Sequence, residues 1–520
     1  MASRWSTIVL FILVQVAFTQ PSSPDNQQRV RIDNIHRNAM KIPGPKSLSD
    51  KIAIVGGGPS GIHMAYKLKK AGFKNVVVFE QSDEVGGKSR TIYHRGVPHE
   101  FGTCYGHPDY EEIYDLVREL DAGEILPMPA PDMWVDSPKG KVPLSTSQYY
   151  GLEARRLKPD LANGTELAFF MSAIRKYVGL HRQFFGEYEG MLMPRPSRQV
   201  LAATNMTFLE FLRRNDIEIL KALFLPAATM QGYGHVDEIS ALYAMMWLTP
   251  KFLLGIIPRN DGTRNIKILS KGFQFLWQEM KRQHNLNVKL NSPVLGIIKS
   301  RNGFRIVYKD CDYYRFEKFD FLMLTPTLRT MAKMIQFNRE ENSYFKRSFD
   351  YYIISTLVDT TYGKRSGAPT GYYVNNILSK IDNLVWGFRD SYASIYDITG
   401  ANYSSGIYPG GSDGKKVESA IYYQEPQSRP NRRTAQLALR DHIENVYQAK
   451  VVEVQKQVVW ENYFPRFSVA DMASGILWDI LDMQGKYGIW YLGSSVSFES
   501  LTGVMGYNNL ILKHYDIPTK

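Results

Sequence analysis

Cysteine is nearly missing from this chain of 520 residues, which holds 2, Cys104 and Cys311. That excludes a disulfide-stapled scaffold; stability has to come from an apolar core and from whatever the chain binds. One disulfide or two free thiols stay open, with free thiols favoured. Zinc-ligand spacings are missing too, so no metal is expected. No run of five basic residues occurs although the formal net charge is +12 and the pI about 9.3. Such dispersed charge fits a basic solvated surface, leaves room for transient contact with an anionic membrane surface, and carries no nucleic-acid signature. Beyond the N-terminus, no stretch approaches the ~18 uninterrupted apolar residues of a membrane span. Internal repeats and low-complexity tracts are absent, which removes solenoids and arrays.

What is present starts with "MASRWSTIVLFILVQVAFTQ". One early cation, Arg4, precedes an apolar run from Ile8 to Phe18 and a small-residue cleavage pattern at Ala17–Thr19. A secretory signal peptide over residues 1–19 is expected, with an uncleaved anchor as the alternative. Three sequons, at Asn163, Asn205 and Asn402, agree with a secreted glycoprotein. Residues 20–50 are polar and Pro/Ser-rich and read as an extended lead-in.

The first chemical signal is "IAIVGGGPSGIHMAYKLKKAGFKNVVVFE", Ile52 to Glu80. It reads as strand, glycine turn, helix, strand and acid. Gly56, Gly58 and Gly61 match G-x-G-x-x-G, with Ser60 at the helix start. The first glycine makes the tight turn, the second admits a pyrophosphate, and the third lets helix and strand close up. Helix N–H groups then face the phosphates. Glu80 ends the next strand, where a carboxylate accepts hydrogen bonds from ribose hydroxyls.

Just downstream, "EQSDEVGGKSRT" places Gly86-Gly87 after the acid, followed by Lys88 and Arg90. This resembles the acid-then-GG motif of the flavin amine oxidase superfamily, with Lys88 where arginine is usual. The resemblance implies FAD rather than NAD, and phosphate contact by Lys88 as a point charge without arginine's fork. In the same family "HEFGTCYG" (His99–Gly106) brings backbone beside the flavin ring, which assigns Gly102 and Thr103 to the cofactor. "WYLGSSVSFESLTGVMGYNNLIL" resembles the family's closing strand–turn–helix. Gly493 would end the strand, and Leu501 and Thr502 would open a helix aimed at the flavin pyrimidine edge. Val294, in "SPVLGI", stands where an adenine-contacting valine is usual.

Three further stretches narrow the resemblance: "GYGHVDEISALYAMMWL", "YFPRFSVADMASGILWDILDMQG" and the "SFES" turn. They are similar to the FAD-dependent polyunsaturated fatty acid double-bond isomerases. This implies noncovalent FAD, a long-chain polyunsaturated fatty acid substrate and a conjugated product. Tyr105 and Tyr233 are then expected on the flavin-facing wall, core or surface tyrosines being the alternative. Gln231 and Phe498 join them as substrate-pocket candidates. His235 reads as an acid–base group or, preferably, as a residue that orients its loop, because hydride transfer needs no base. The sequence also departs from its relatives: "PMPAPDMWVD" has no basic residue where an arginine would hold the substrate carboxylate, and Gln231 replaces a phenylalanine. Rival readings are a peroxide-releasing oxidase of amines, amino acids or alcohols, a lipid desaturase, and a binding protein without turnover. The strand "FDYYIISTLVDTTY" lacks the lysine of many amine-oxidase relatives, which weakens the oxidase.

The implied fold class is α/β: an amine-oxidase-like, discontinuous Rossmann-type FAD domain with an inserted α+β substrate domain. The FAD domain is expected over 51–132, 265–335 and 480–520. The substrate domain, a helical block plus a mixed sheet, is expected over 133–264 and 336–479. From about Met133 to Leu254 the apolar spacing predicts helices. Three independent domains are the alternative, and the sequence says nothing of oligomeric state.

Overall fold

The computed structural model describes residues 41–518, apart from 129, 139, 189–191, 257–264, 362–369, 375–381, 391–406 and 410–415. The expected signal peptide, residues 20–40 of the lead-in and Asn402 lie outside the described residues.

Five parallel strands build the first sheet, in the order Ile489–Tyr491, Phe321–Leu324, Lys51–Val55, Asn75–Phe79, Val288–Lys289. Residues Ile52 to Val55 are buried, as befits a strand covered on both faces. The helix Pro59–Lys70 follows the glycine turn, with proline at its first position, where a missing N–H costs nothing. The closing helix Leu501–Lys513 packs against it, and the Asn508 amide donates to the Ser60 carbonyl at 2.8 Å. The sheet thus draws on segments from opposite ends of the chain, and the parallel, helix-covered layout is Rossmann-type.

An eight-stranded mixed sheet forms the second layer. Its order is Val451–Arg466, Phe349–Thr361, Lys416–Glu425, Leu384–Asp390, Thr370–Tyr373, Asp132–Ser137, Gly140–Ser145, with Ile407–Pro409 joined to Lys416–Glu425. Within this sheet, only Thr370–Tyr373 and Asp132–Ser137 pair in parallel among the described strands.

The helical expectation from Met133 onward needs correction at its start. Asp132–Ser137 and Gly140–Ser145 form an antiparallel hairpin, and helix begins only at Thr146, behind a capping box of Ser145 and Gln148. Pairing with Thr370–Tyr373 decides the matter, a contact remote in sequence. Farther on, Glu166–Phe185 is one helix of 20 residues, as its spacing predicts. "TFLEFLRRNDIEILKALFL" breaks at Asp216, whose φ is +49°, into Phe208–Arg214 and Lys221–Ala227.

Cys104 is buried, Cys311 is exposed, and both are free thiols. Residues 41–50 run over the C-terminal end: the Ile42 N–H donates to the His514 carbonyl at 2.8 Å, and the Trp490 indole to Pro43 at 2.8 Å. No helix among the described residues is long and apolar enough to cross a membrane.

Candidate active site

A cavity of about 600 Å³ opens at the carboxyl ends of the parallel strands. Gly56 follows Val55, Glu80 follows Phe79, Thr325 follows Leu324, and Gly493 lies just beyond Tyr491; all four line it. Ligands of open parallel sheets bind at this edge. Gly58, Ser60, Gly87, Lys88, Gly102 and Thr103 complete the near side, and Leu501 brings the closing helix to it. Tyr105, Gln231 and Tyr233 line it from the other side, together with residues Val458 to Tyr463 of the long edge strand.

The glycine turn is packed to backbone contact. A Cβ on Gly61 would lie 2.0 Å from the Gly56 carbonyl oxygen, so the helix approaches the turn only because that carbon is missing. Glu80 is held at both oxygens: the Gly57 N–H donates to one at 2.7 Å and the Ser82 N–H to the other at 2.8 Å. A carboxylate oxygen accepts more than one hydrogen bond, so each retains capacity for a ribose hydroxyl. The closing helix is capped by Ser500, whose hydroxyl accepts from the Gly503 N–H at 2.9 Å. A dinucleotide thus finds the glycine cradle, the acid and two helix N-termini around one cavity, and FAD fits this donor set.

Lys88 stands at the cavity but not alone. Its ammonium is 2.6 Å from the Glu499 carboxylate and 5.4 Å from the centroid of the Tyr463 ring. The same Glu499 oxygen accepts from the Phe464 N–H at 3.0 Å. The cation therefore ties the second glycine motif to the SFES turn and to the long edge strand.

Five sequence-derived candidates do not line the cavity. Gly61 and Thr502 sit in the first turn of their helices. Val294 is partly buried at the start of Val294–Ser300, close to the adenosine side through the Ser292 N–H, which donates to the Glu80 carbonyl at 2.8 Å. His235 is turned toward Glu425, with Nε2 3.3 Å from its carboxylate, a contact that suits the loop-orienting reading. Phe498 is a correction: instead of facing substrate it is buried behind the wall, stacked on Trp247 at 5.6 Å and edge-on to Tyr233 at 4.9 Å.

That wall contains residues the sequence reading did not single out. Trp247, Trp460 and Tyr463 line the cavity. The Tyr463 ring is parallel to Tyr233 within 8°, and its hydroxyl donates to the Gln231 carbonyl at 3.0 Å. The Trp460 indole donates to the Phe101 carbonyl at 3.0 Å. Burial pushes the phenols of Tyr105, Tyr233 and Tyr463 well above their ordinary range, so they stay neutral. Burial likewise raises the Cys104 thiol, which also lines the cavity. No cluster of potential metal ligands occurs among the described residues.

The GYGH and YFPRF stretches meet here. Arg466 is buried with its guanidinium 3.6 Å from the Tyr351 ring centroid, and it packs flat against Gly234. A Cβ on Gly234 would lie 3.0 Å from three guanidinium atoms, at a φ of +89°. Gly234→Ala should therefore cost about 1–3 kcal/mol of stability, read as a lower melting temperature with flavin still bound.

Fold and cavity together define a flavoprotein. The chain belongs to the flavin-containing amine oxidoreductases, whose family model matches residues 59–351. It is 23% identical over 503 residues to a polyenoic fatty acid isomerase of Ptilota filicina, covering 90% of this chain and 95% of that one. Among solved structures, a conjugated-linoleic-acid-producing fatty acid isomerase from P. acnes superposes with a TM-score of 0.70 at 20% identity, covering 90% of this chain and 99% of the other. Putrescine oxidase superposes at 0.61 with 17% identity, over 89% and 97% of the two chains. Likenesses at these identities establish the shared fold.

Proposed function

We propose that this flavoprotein moves double bonds in long-chain polyunsaturated fatty acids, giving conjugated products, with FAD bound noncovalently. The observation that carries the proposal is the neutral aromatic wall of Tyr233, Trp247, Trp460 and Tyr463 around the cavity. FAD, which the glycine turn, Glu80 and Lys88 would hold, would supply a reversible two-electron acceptor. Hydride loss from a methylene between two double bonds would leave a delocalised pentadienyl cation, and return of that hydride at another carbon would shift a double bond with no net redox change. Ring faces exclude water and tolerate that positive charge. The chemistry requires no base, none of the four wall rings is one, and His235 stands outside the lining beside Glu425. The raised thiol of Cys104 is a poor nucleophile, in keeping with a flavin held without a covalent bond. The likeness to the Ptilota filicina protein, named for polyenoic fatty acids, supports the same substrate class.

The N-terminal apolar run and the exposed Asn163 and Asn205 side chains favour a secreted protein. The function is tested by anaerobic incubation of the FAD-loaded protein with linoleate, linolenate and arachidonate. The expected result is rising diene or triene absorbance without lasting loss of the oxidised flavin spectrum. Peroxide release in air with polyamines or amino acids, the lipid remaining unchanged, would assign the protein to the oxidases instead.

A further inference from the structure

The cavity divides at Gln231. This residue lines the main cavity and two smaller hollows beside it, of about 30 and about 50 Å³. Its side-chain amide donates to the Tyr372 hydroxyl at 3.0 Å and to the Pro226 carbonyl at 3.0 Å, and Tyr372 also lines both hollows. One hollow is apolar. The stretch Pro127–Asp136, which has no basic residue, supplies Met128, Pro131 and Met133 to it, facing Leu223 and Phe252.

The other hollow differs in one respect. It shares Gly102, Cys104, Gln231, Trp460 and Tyr463 with the main cavity, and its remaining walls are largely aromatic. Among the described residues lining it, Arg389 is the one ionised side chain. Arg389 belongs to the strand Leu384–Asp390 and is 6% exposed. Its guanidinium carbon lies 5.7 Å from the Tyr423 ring centroid, its side chain is hydrogen-bonded to Cys104, and its charge acts on Cys104 and Tyr105 at the shared wall. A guanidinium presents a planar fork of donors that a carboxylate matches with both oxygens, and among aromatic walls such a bond faces little competition from water. A charged hollow and an apolar hollow that both share walls with the main cavity suit a ligand with an anionic head and a hydrocarbon chain.

We infer that Arg389 binds the carboxylate of the acyl substrate while the apolar hollow receives part of its chain. This rests on the lipid reading above and adds the residue that recognises the head group. Gln231 is the positioning residue at the fork, and selectivity for free acids over esters follows from the charge.

Calorimetric titration of the FAD-loaded protein with laurate and methyl laurate tests it, because laurate has no double bond to move. Laurate should bind at least about tenfold more tightly than its ester, the scale of a charge-assisted hydrogen bond. In Arg389→Met, with FAD content unchanged, the two affinities should fall within about twofold of each other, and Arg389→Lys should lie between. Equal affinities in the parent protein overturn the assignment, even where Arg389→Met fails to fold. An undiminished preference for the acid in flavin-loaded Arg389→Met also overturns it. If laurate discrimination depends on Arg389 but no polyunsaturated acid is converted, the carboxylate site stands and the isomerase reading falls. If polyunsaturated acids are converted and acid and ester bind alike, the reverse holds.

Discussion

Gly61→Val should yield a folded protein that purifies without flavin, its 450 nm absorbance reduced at least tenfold relative to the parent. The new Cβ would sit 2.0 Å from the Gly56 carbonyl oxygen and 3.3 Å from the Ile54 side chain. Neither obstacle is the free end of a flexible side chain: the first is backbone within the turn itself, the second a buried residue of the central strand. The helix Pro59–Lys70 must therefore back away, and with it the N–H groups that face a pyrophosphate. The shift would also disturb the hydrogen bond from Gly57 to Glu80, so the phosphate and ribose ends lose their geometry together. Gly151→Ala is the control. It lies in the helix Thr146–Leu157, with nothing within 4 Å of the added carbon, and alanine is the better helix former there. Full flavin content in Gly61→Val would show that the glycine turn does not hold the cofactor.

The contrast between Gly61 and Arg389 explains what was legible in the sequence. The strand, turn and helix around Gly61 are contiguous, and each part carries its own local signal, so fold class and cofactor edge could be read directly. The closing strand, SFES turn and helix Leu501–Lys513 were legible for the same reason. Arg389 has no such signature. One arginine in "LVWGFRD" becomes a site only when the fold brings Cys104, Gln231 and Tyr423 around it. The pairing of Lys88 with Glu499 joins positions 411 apart, and nothing near either residue announces it. Strand identity failed where neighbours decide it. Asp132–Ser137 is a strand because Thr370–Tyr373 lies alongside. Val451–Arg466 mixes polar and apolar residues as an edge strand paired only to Phe349–Thr361 among the described strands, so apolar periodicity alone did not mark it. Phe498 shows a finer limit: the turn that carries it was legible, but its side chain faces the layer behind the cavity, a choice set by Trp247 and Tyr233.

Acid should unfold this protein well above the pH at which carboxylates alone would act, with stability dropping steeply between pH 6.5 and 4. Four imidazoles are responsible. Burial pushes His99, His107 and His442 down to about 3 and His181 to about 4. His107 is enclosed by the rings of Tyr110, Trp247 and Phe252, each at 4.8 Å, and His442 lies 4.4 Å from Tyr373. Each is neutral in the folded chain while the unfolded chain takes up a proton below pH 6.5, so the unfolded state binds more protons and stability rises with pH. The stabilisation is complete above 6.5 and is lost as pH falls toward the folded values. Each histidine loses about 1.4 kcal/mol per pH unit, so the four together lose about 8 kcal/mol between pH 7 and pH 5. Glu100 opposes them. Burial raises its carboxyl to about 8, so its folded form keeps the proton and gains stability as pH falls toward 4.5. Over the same interval it returns about 2–3 kcal/mol, leaving a net loss of about 5 kcal/mol, comparable to the whole stability of many domains. Urea unfolding of the FAD-loaded protein at pH 7 and pH 5 measures the difference. His442→Phe, remote from the flavin edge and able to pack against Tyr373, should narrow the gap by about 2 kcal/mol. An unfolding midpoint that does not move between the two pH values would mean that these imidazoles are not neutral and buried in the folded protein.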